Sequence, residues 1–466
     1  MKNLTLRNIT AAVNGRYIGS ESLLDQEIQD ITTDSRKAEK NFLFAAIRGE
    51  RVDGHRFVPQ VLAGGAAVLV EQEEAAGEGP AVLVESTLQA LKDLAEFYLK
   101  QLNRPLVGIV GSVGKTSTKE MVAAVLSVKY RVLKTIGNFN NEIGVPLTAF
   151  RMREEDEIGV LEMGINHFGE MRRLAKVVCP DTVVMTNIGT AHMEFLQSRD
   201  GILQAKSEVF EYMGEDAHIV LNGDDDKLSL IEEKNGVIPV RFGIGENGFS
   251  HVNDIWADEI ESKGLLGISC RIHMGDESFL VDIPAPGIHM VSNALAGAAV
   301  GRIYGLTAAE IKQGIENYEA LPGRFHIIRS ENLVLVDDCY NANPASMKAS
   351  LAVLKESQGR KVAILGDMGE LGEKENELHA EVGVYAAGLP IDALYAVGPM
   401  SAHMAEAARM YALSSGNEMA VRWFADREEL TAAIPELIQA GDAVLIKASH
   451  YMQFEKIVQA LQEYSV

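Results

Sequence analysis

The segment Gly111-Ser112-Val113-Gly114-Lys115-Thr116-Ser117 follows a short β-branched run at 106–110 and precedes a stretch of helical apolar spacing at 115–128. Strand, glycine-rich turn and helix in that order make a phosphate loop. Glycines let backbone N–H groups approach phosphate oxygens, and the helix N-terminus adds positive potential. Lys115 is placed to reach the terminal phosphates of a nucleoside triphosphate, and Thr116 to hold Mg²⁺. The spacing is a variant, because the position six residues before the lysine is Ile109, with Gly108 just ahead of it.

Two further candidates close apolar runs downstream. Glu162 ends Val160-Leu161-Glu162, and His192 follows Thr186-Asn187-Ile188-Gly189-Thr190-Ala191. Residues at the carboxyl edge of a parallel strand face the ligand crevice, and a carboxylate there suits Mg²⁺ directly or through water. Asn138, Asn140 and Asn141 crowd one loop, Gly137 to Pro146. Loop asparagines bond their own backbone, or three so close donate amide hydrogen bonds to a second phosphate-bearing substrate.

The elements that must position these residues are α/β in pattern. Segments 41–47 and 66–70 read as strands and 86–102 as an amphipathic helix. Asn103-Arg104-Pro105 then breaks the chain. Beyond it, 106–110, 158–161, 182–186, 218–221 and 237–242 read as strands alternating with helices, the signature of a parallel sheet covered on both faces. Segment 251–285 is strand-rich and reads as an antiparallel addition. After Leu321-Pro322-Gly323, strands at 333–337, 361–365, 393–397 and 443–446 are each followed by a turn and a helix. The expectation is three α/β domains: 1–103, small; 104–322, built round the phosphate loop on a parallel sheet; and 323–466, doubly wound and Rossmann-like.

Composition narrows the function. With 43 basic and 66 acidic residues the net charge is −23, which gives no general attraction to nucleic acid or an anionic membrane. Any phosphate therefore needs a local cationic site or a metal. Cys179, Cys270 and Cys339 are widely spaced and odd in number, which favours a reducing compartment. The N-terminal twenty residues lack the apolar core of a signal peptide, and the longest apolar run, 61–70, is half a membrane span. The expectation is a soluble cytoplasmic protein.

Taken together these segments resemble the Mur ligases over nearly the whole chain. The first part carries Thr33-Asp34-Ser35-Arg36, Phe42 to Gly49, and Asp53-Gly54-His55. The middle adds the phosphate loop, the asparagine loop, Glu162, His192, Ala205-Lys206-Ser207-Glu208 and His289 to Ala296. The last part adds Leu321-Pro322-Gly323-Arg324-Phe325, Asp337-Asp338-Cys339-Tyr340-Asn341-Ala342-Asn343-Pro344 and Leu365-Gly366-Asp367-Met368-Gly369-Glu370-Leu371-Gly372. The tyrosine–asparagine motif and the 365–372 segment look like the family member that adds D-alanyl-D-alanine. Val110 and Cys339 stand where threonine and serine are more usual, mild departures.

The resemblance implies an ATP-dependent amide ligase of peptidoglycan synthesis. It would join D-alanyl-D-alanine to a UDP-N-acetylmuramoyl-tripeptide through an acyl phosphate, as a monomer without nucleic-acid partner or membrane insertion. Ser35, Arg36, Arg48 and Gly49, with Asn138, Asn140 and Asn141, would serve the UDP substrate. Gly111, Ser112, Val113, Gly114, Lys115, Thr116, Ser117, Asn293, Arg324 and Asp338 would serve ATP, Asn293 at the adenine. Thr116 and Glu162 would hold one Mg²⁺, and His192 a second with Lys206 if that lysine is carbamylated. Lys115, Lys206, His192 and Arg324 would be catalytic, and Tyr340, Asn341, Asn343, Ser449 and His450 would meet the dipeptide. The rival readings are another amide ligase of the same superfamily, adding the preceding amino acid or adding glutamate to folate, and a nucleotide switch or scaffold whose phosphate loop controls a partner.

Overall fold

The computed structural model describes residues 1–49, 52–190, 193–214, 216–330 and 332–464. His192 therefore lies outside the described residues. Three sheets organise the chain. The first has five strands in the order Arg16–Ile18, Ala81–Leu83, Ala67–Val70, Phe42–Ala45, Asp30–Thr32. Only Arg16–Ile18 pairs antiparallel. Ala67–Val70 is buried at every position, as a strand covered on both faces must be.

Helix Thr87–Leu102 leads out of this unit. The Ser86 hydroxyl caps it by accepting from Gln89 N–H, and Asn103 ends it in the left-handed region at φ 48°. Its buried face, Leu91, Leu94, Ala95, Tyr98 and Leu102, belongs to one continuous core. That core holds Leu43, Leu69 and Val82 of the first sheet and Val110, Leu161 and Val183 of the second. Two polar ties reinforce the junction. The Tyr98 hydroxyl donates to the Met152 carbonyl at 2.6 Å, and the buried Lys92 ammonium meets Glu142 at 2.8 Å.

The second sheet has nine strands, ordered Glu277–Ile283, Ile268–Met274, Ile255–Ser262, Val240–Ile244, His218–Asn222, Thr182–Met185, Leu106–Val110, Ile158–Glu162, Val132–Lys134. All pairings from Val132–Lys134 across to Ile255–Ser262 are parallel, and the last two are antiparallel. The strand read at 237–242 starts later, at Val240, because Pro239 has no N–H to give a ladder. Leu106–Val110 lies between Thr182–Met185 and Ile158–Glu162, so the loops after these three strands open on a common crevice.

The third sheet runs His326–Arg329, Val334–Asp337, Ala443–Lys447, Lys361–Gly366, Ala393–Val397, Ala420–Phe424, with only the first strand antiparallel. Apolar cores lie on both of its faces. Its two edge strands, His326–Arg329 and Ala420–Phe424, were not among the expected ones. Insertion of Ala443–Lys447 between Val334–Asp337 and Lys361–Gly366 makes a switch point. It gathers the segments following these strands, 338–343, 448–450 and 367–371. Among the described residues no helix is long and apolar enough to cross a membrane.

Candidate functional site

The crevices of the second and third sheets face one another across a cleft of about 1170 Å³, with Leu88 of the first unit at its margin. Gly111 touches Thr186 so closely that an added Cβ would lie 1.9 Å from the threonine Oγ1, so only glycine fits. Asn187 clamps the next turn, accepting from Val113 N–H and donating to the Val113 carbonyl, both at 2.9 Å. Gly114, at φ +81°, turns the chain into helix Lys115–Leu126, whose first N–H groups no side chain caps. The Ser112 hydroxyl is buried without a hydrogen-bond partner, on a wall of the same cleft. An orphaned donor beside an uncapped helix N-terminus fits phosphate oxygens.

A carboxylate stands opposite the loop. Glu162, 2% exposed, accepts from the Thr116 hydroxyl at 2.9 Å and from the Asn140 amide at 2.8 Å. Its backbone N–H donates to Thr135 Oγ1, while the buried Lys119 ammonium donates to the Thr135 carbonyl. The strand end carrying Glu162 is thus pinned to the phosphate-loop helix. One carboxylate, one hydroxyl and one amide oxygen are hard donors, which suits Mg²⁺ completing its shell with water and phosphate. Among the described residues no three His, Cys, Asp or Glu converge on a metal position.

Two lysines meet at this carboxyl edge. Lys115 and Lys206 each donate to the Gly111 carbonyl at 3.0 Å. Desolvation lowers the Lys115 pKa, with Arg324 adding to the effect and Glu162 opposing it. Lys206 is 1% exposed and is lowered well below its ordinary value, by desolvation first and by Lys115 second. Two lysine nitrogens on one carbonyl oxygen, in a site this dry, hold charge poorly by themselves and suit an anionic neighbour.

The opposite wall comes from the third sheet. Arg324 lies over the Tyr340 ring, 3.6 Å from its centroid, and His450 stacks on the same tyrosine at 5.4 Å. Burial raises the Tyr340 pKa against the opposing pull of Arg324. Asp338 accepts from the Lys447 ammonium and the Ser350 hydroxyl, each at 2.6 Å. Ser449 Oγ accepts from Gly369 N–H at 2.8 Å. The phosphate-loop segment, the Glu162 corner and the wall from the third sheet therefore share one cleft.

Three family models match in series: the Mur ligase family catalytic domain over residues 27–99, the Mur ligase middle domain over 109–301, and the Mur ligase glutamate ligase domain over 323–450. The UDP-N-acetylmuramoyl-tripeptide–D-alanyl-D-alanine ligase of Bacillus subtilis is 36% identical over 98% of both chains. The chain belongs to the Mur ligase family. Its fold agrees with that of MurF from Acinetobacter baumannii, at TM-score 0.88 and 32% identity over 99% of each chain. MurF from Thermotoga maritima, solved in complex with ADP, aligns at TM-score 0.80 and 28% identity, over 94% of this chain and 97% of that one.

In this Mur ligase the cleft is lined by Ser112 to Ser117, Asn140, Asn141, Glu162, Asn293, Arg324, Asp338, Tyr340, Asn341, Asn343, Ser449 and His450. Asn293 is held by the Thr118 hydroxyl at 2.8 Å. Several of these side chains also serve the backbone. Asn141 accepts from Ile143 and Gly144 N–H, Asn341 from Ala342 N–H, and Asn343 caps helix Pro344–Leu354 in a capping box with Ser346. Asn138 approaches Tyr340. Ser35, Arg36, Arg48 and Gly49 do not line this cleft. Ser35 opens the 3₁₀ turn Ser35–Lys37. Arg36 forks onto Asp34 at 2.8 and 2.9 Å, Arg48 lies 3.4 Å from Glu71, and Gly49 N–H donates to the Val52 carbonyl. Contributors that escaped the candidate residues read from the sequence include Asn187, Lys119 and Lys447. Asn187 carried a signal, since it follows a strand end beside the loop.

Proposed function

We propose that this chain joins D-alanyl-D-alanine to UDP-N-acetylmuramoyl-tripeptide at the expense of ATP, as a monomer in the cytoplasm. The observation that carries the reading is the meeting, in one cleft, of the Lys115 loop, the Glu162 corner and the Tyr340–Ser449–His450 wall. A carboxylate and an amine do not condense unaided in water. Transfer of the γ-phosphoryl group of ATP to the tripeptide carboxylate gives an acyl phosphate and ADP. The dipeptide amine then attacks the acyl carbon, and the tetrahedral intermediate expels phosphate.

Lys115 and the first N–H groups of its helix bind the phosphates and hold the transferring group in line. Asn293 meets the adenine, Asp338 the ribose, and Arg324 offers a planar fork to phosphate oxygens from the third-sheet side. Mg²⁺, when bound, neutralises phosphate charge; Thr116 and Glu162 would hold one ion, and His192 with a carbamylated Lys206 a second. Asn138, Asn140 and Asn141 orient the muramoyl substrate, and Ser35, Arg36, Arg48 and Gly49 receive its uridine nucleotide. Tyr340, Asn341, Asn343, Ser449 and His450 bind the dipeptide. Closing the two walls excludes water, which would otherwise hydrolyse the acyl phosphate.

The test is phosphate release with ATP, Mg²⁺, UDP-N-acetylmuramoyl-tripeptide and D-alanyl-D-alanine, each omitted in turn, with the product weighed by mass spectrometry. Release that requires both substrates and yields the UDP-muramoyl pentapeptide is the expected result. Release with a single amino acid in place of the dipeptide would keep the ligase chemistry and overturn the substrate.

A further inference from the structure

The segment Gly366 to Gly372 follows strand Lys361–Gly366, and Gly369, Glu370 and Leu371 line the cleft beside Ser449 and His450. Backbone and side-chain hydrogen bonds tie this loop down on both sides. Gly369 N–H donates to Ser449 Oγ at 2.8 Å, and Ser449 N–H donates to the Asp367 carbonyl at 3.0 Å. The Asp367 carboxylate accepts from the Ser401 N–H and hydroxyl, both at 2.7 Å. A further tie is a histidine. His379, on helix Glu375–Ala387, has no exposed surface, and its Nε2 lies 2.9 Å from Met368 N.

The partners of His379 fix its state. A backbone N–H can only donate, so Nε2 must present its lone pair to Met368. The Glu375 carbonyl, 2.7 Å from Nδ1, can only accept, so Nδ1 carries the proton. The imidazole is neutral and in one tautomer, and it is bound to the loop's backbone rather than to its side chains.

We propose that His379 is a positioning residue for the incoming amine, fixing through Met368 N–H the loop that walls the dipeptide end of the cleft. The proposal rests on the substrate reading above. His379 does not itself line the cleft and reaches it only through the loop that carries Gly369, Glu370 and Leu371, so its effect belongs to the substrate that loop meets. Loss of the acceptor leaves a buried N–H unpaired and loosens the loop at Met368, between the bonds at Asp367 and Gly369.

His379→Asn and His379→Gln separate the two contacts. Asparagine reproduces the Nδ1 donor and loses the Nε2 acceptor, whereas glutamine reaches Met368 with an acceptor of its own. For H379N the KM for D-alanyl-D-alanine should rise about tenfold, the loss of one buried hydrogen bond. The kcat and the KM values for ATP and the muramoyl tripeptide should stay within about threefold. Hydrogen–deuterium exchange of the peptide covering 366–372 should quicken in H379N, and H379Q should restore both readouts. Unchanged exchange in H379N would overturn the contact. Faster exchange with an unmoved dipeptide KM would overturn the link to the amine. Equal losses for all three substrates, or no rescue by glutamine, would reduce His379 to a core residue.

A wild-type enzyme that ignores D-alanyl-D-alanine would instead refute the substrate reading, while the exchange comparison still reports on His379. Should H379N fail to fold, wild-type exchange decides. Added dipeptide, with a non-hydrolysable ATP analogue and the tripeptide, should slow exchange at 366–372, and no slowing overturns the proposal.

Discussion

Replacement of Lys206 tests the electrostatics of the cleft most directly. The Lys115 and Lys206 nitrogens both lie 3.0 Å from the Gly111 carbonyl oxygen, and hence within about 6 Å of each other. Two full charges at about that distance repel by about 3 kcal/mol at an effective dielectric near 20. Desolvation opposes the ammonium further, and among the described residues Lys206 forms no ion pair. A lysine pushed toward the neutral amine is the form that adds CO₂, giving a carbamate and releasing a proton. A carbamate would reverse the sign of the interaction, attracting Lys115 and any divalent ion. About 3 kcal/mol corresponds to about two powers of ten in rate, so Lys206→Ala should lower kcat/KM by about 100-fold. Formate or acetate should restore part of that loss by supplying the missing oxygen anion. In ¹³C-bicarbonate, the wild type should show a carbamate resonance that K206A lacks. No such resonance at saturating bicarbonate, together with no rescue, would refute the reasoning and leave Lys206 as a free amine beside the phosphates.

Three other outcomes are expected. Glu162→Gln keeps a partner for Asn140 and Thr116 but loses the charge, so half-saturating Mg²⁺ should rise at least about tenfold with thermal stability nearly unchanged; an unmoved Mg²⁺ titration would remove Glu162 from the metal site. Asn343→Ala deletes the cap of helix Pro344–Leu354 and should cost about 1 kcal/mol in urea unfolding, whatever it does to dipeptide affinity. Burial lowers the pKa of both His289 and His379, the latter against Asp367 and Glu375 and with His403. The unfolded chain then binds more protons below the ordinary histidine value of about 6.5. The stability these histidines contribute is therefore present above about pH 6.5 and is lost as pH falls. Urea midpoints at about pH 7.5 and 5.5 should differ less in H379Q than in wild type, and an equal difference would count against the assignment.

Much of the fold is written in local pattern. Leu106–Val110 and Ala393–Val397 have the bounds their apolar runs indicate, because strands buried on both faces must be apolar throughout. Ala420–Phe424 offers no such run. It is an edge strand whose Arg422 and Trp423 face solvent, and only its pairing with Ala393–Val397 reveals it. The phosphate loop and the Thr116–Glu162 pair were legible because strand ends at a switch point share one crevice. Lys447 was not, since its meaning lies in a 2.6 Å contact with Asp338, 109 residues earlier. Asn343 shows the reverse case. The Asn-Pro pair beside Tyr340 reads as a binding motif, yet it also starts a helix, with proline at a position that suits it.

The core that runs unbroken from the first sheet through helix Thr87–Leu102 into the second has a thermodynamic consequence. Groups on either side of that helix belong to one cooperative block, so they melt together and arrive at the substrates already aligned. The surfaces proposed for the nucleotide and the muramoyl precursor would then lose little rotational entropy on binding. The third sheet has cores of its own and leans on this block through Leu265 of the 264–266 turn and through the His289–Phe325 contact. Calorimetry should resolve it as a separate transition, one that ligands bridging the cleft draw toward the other.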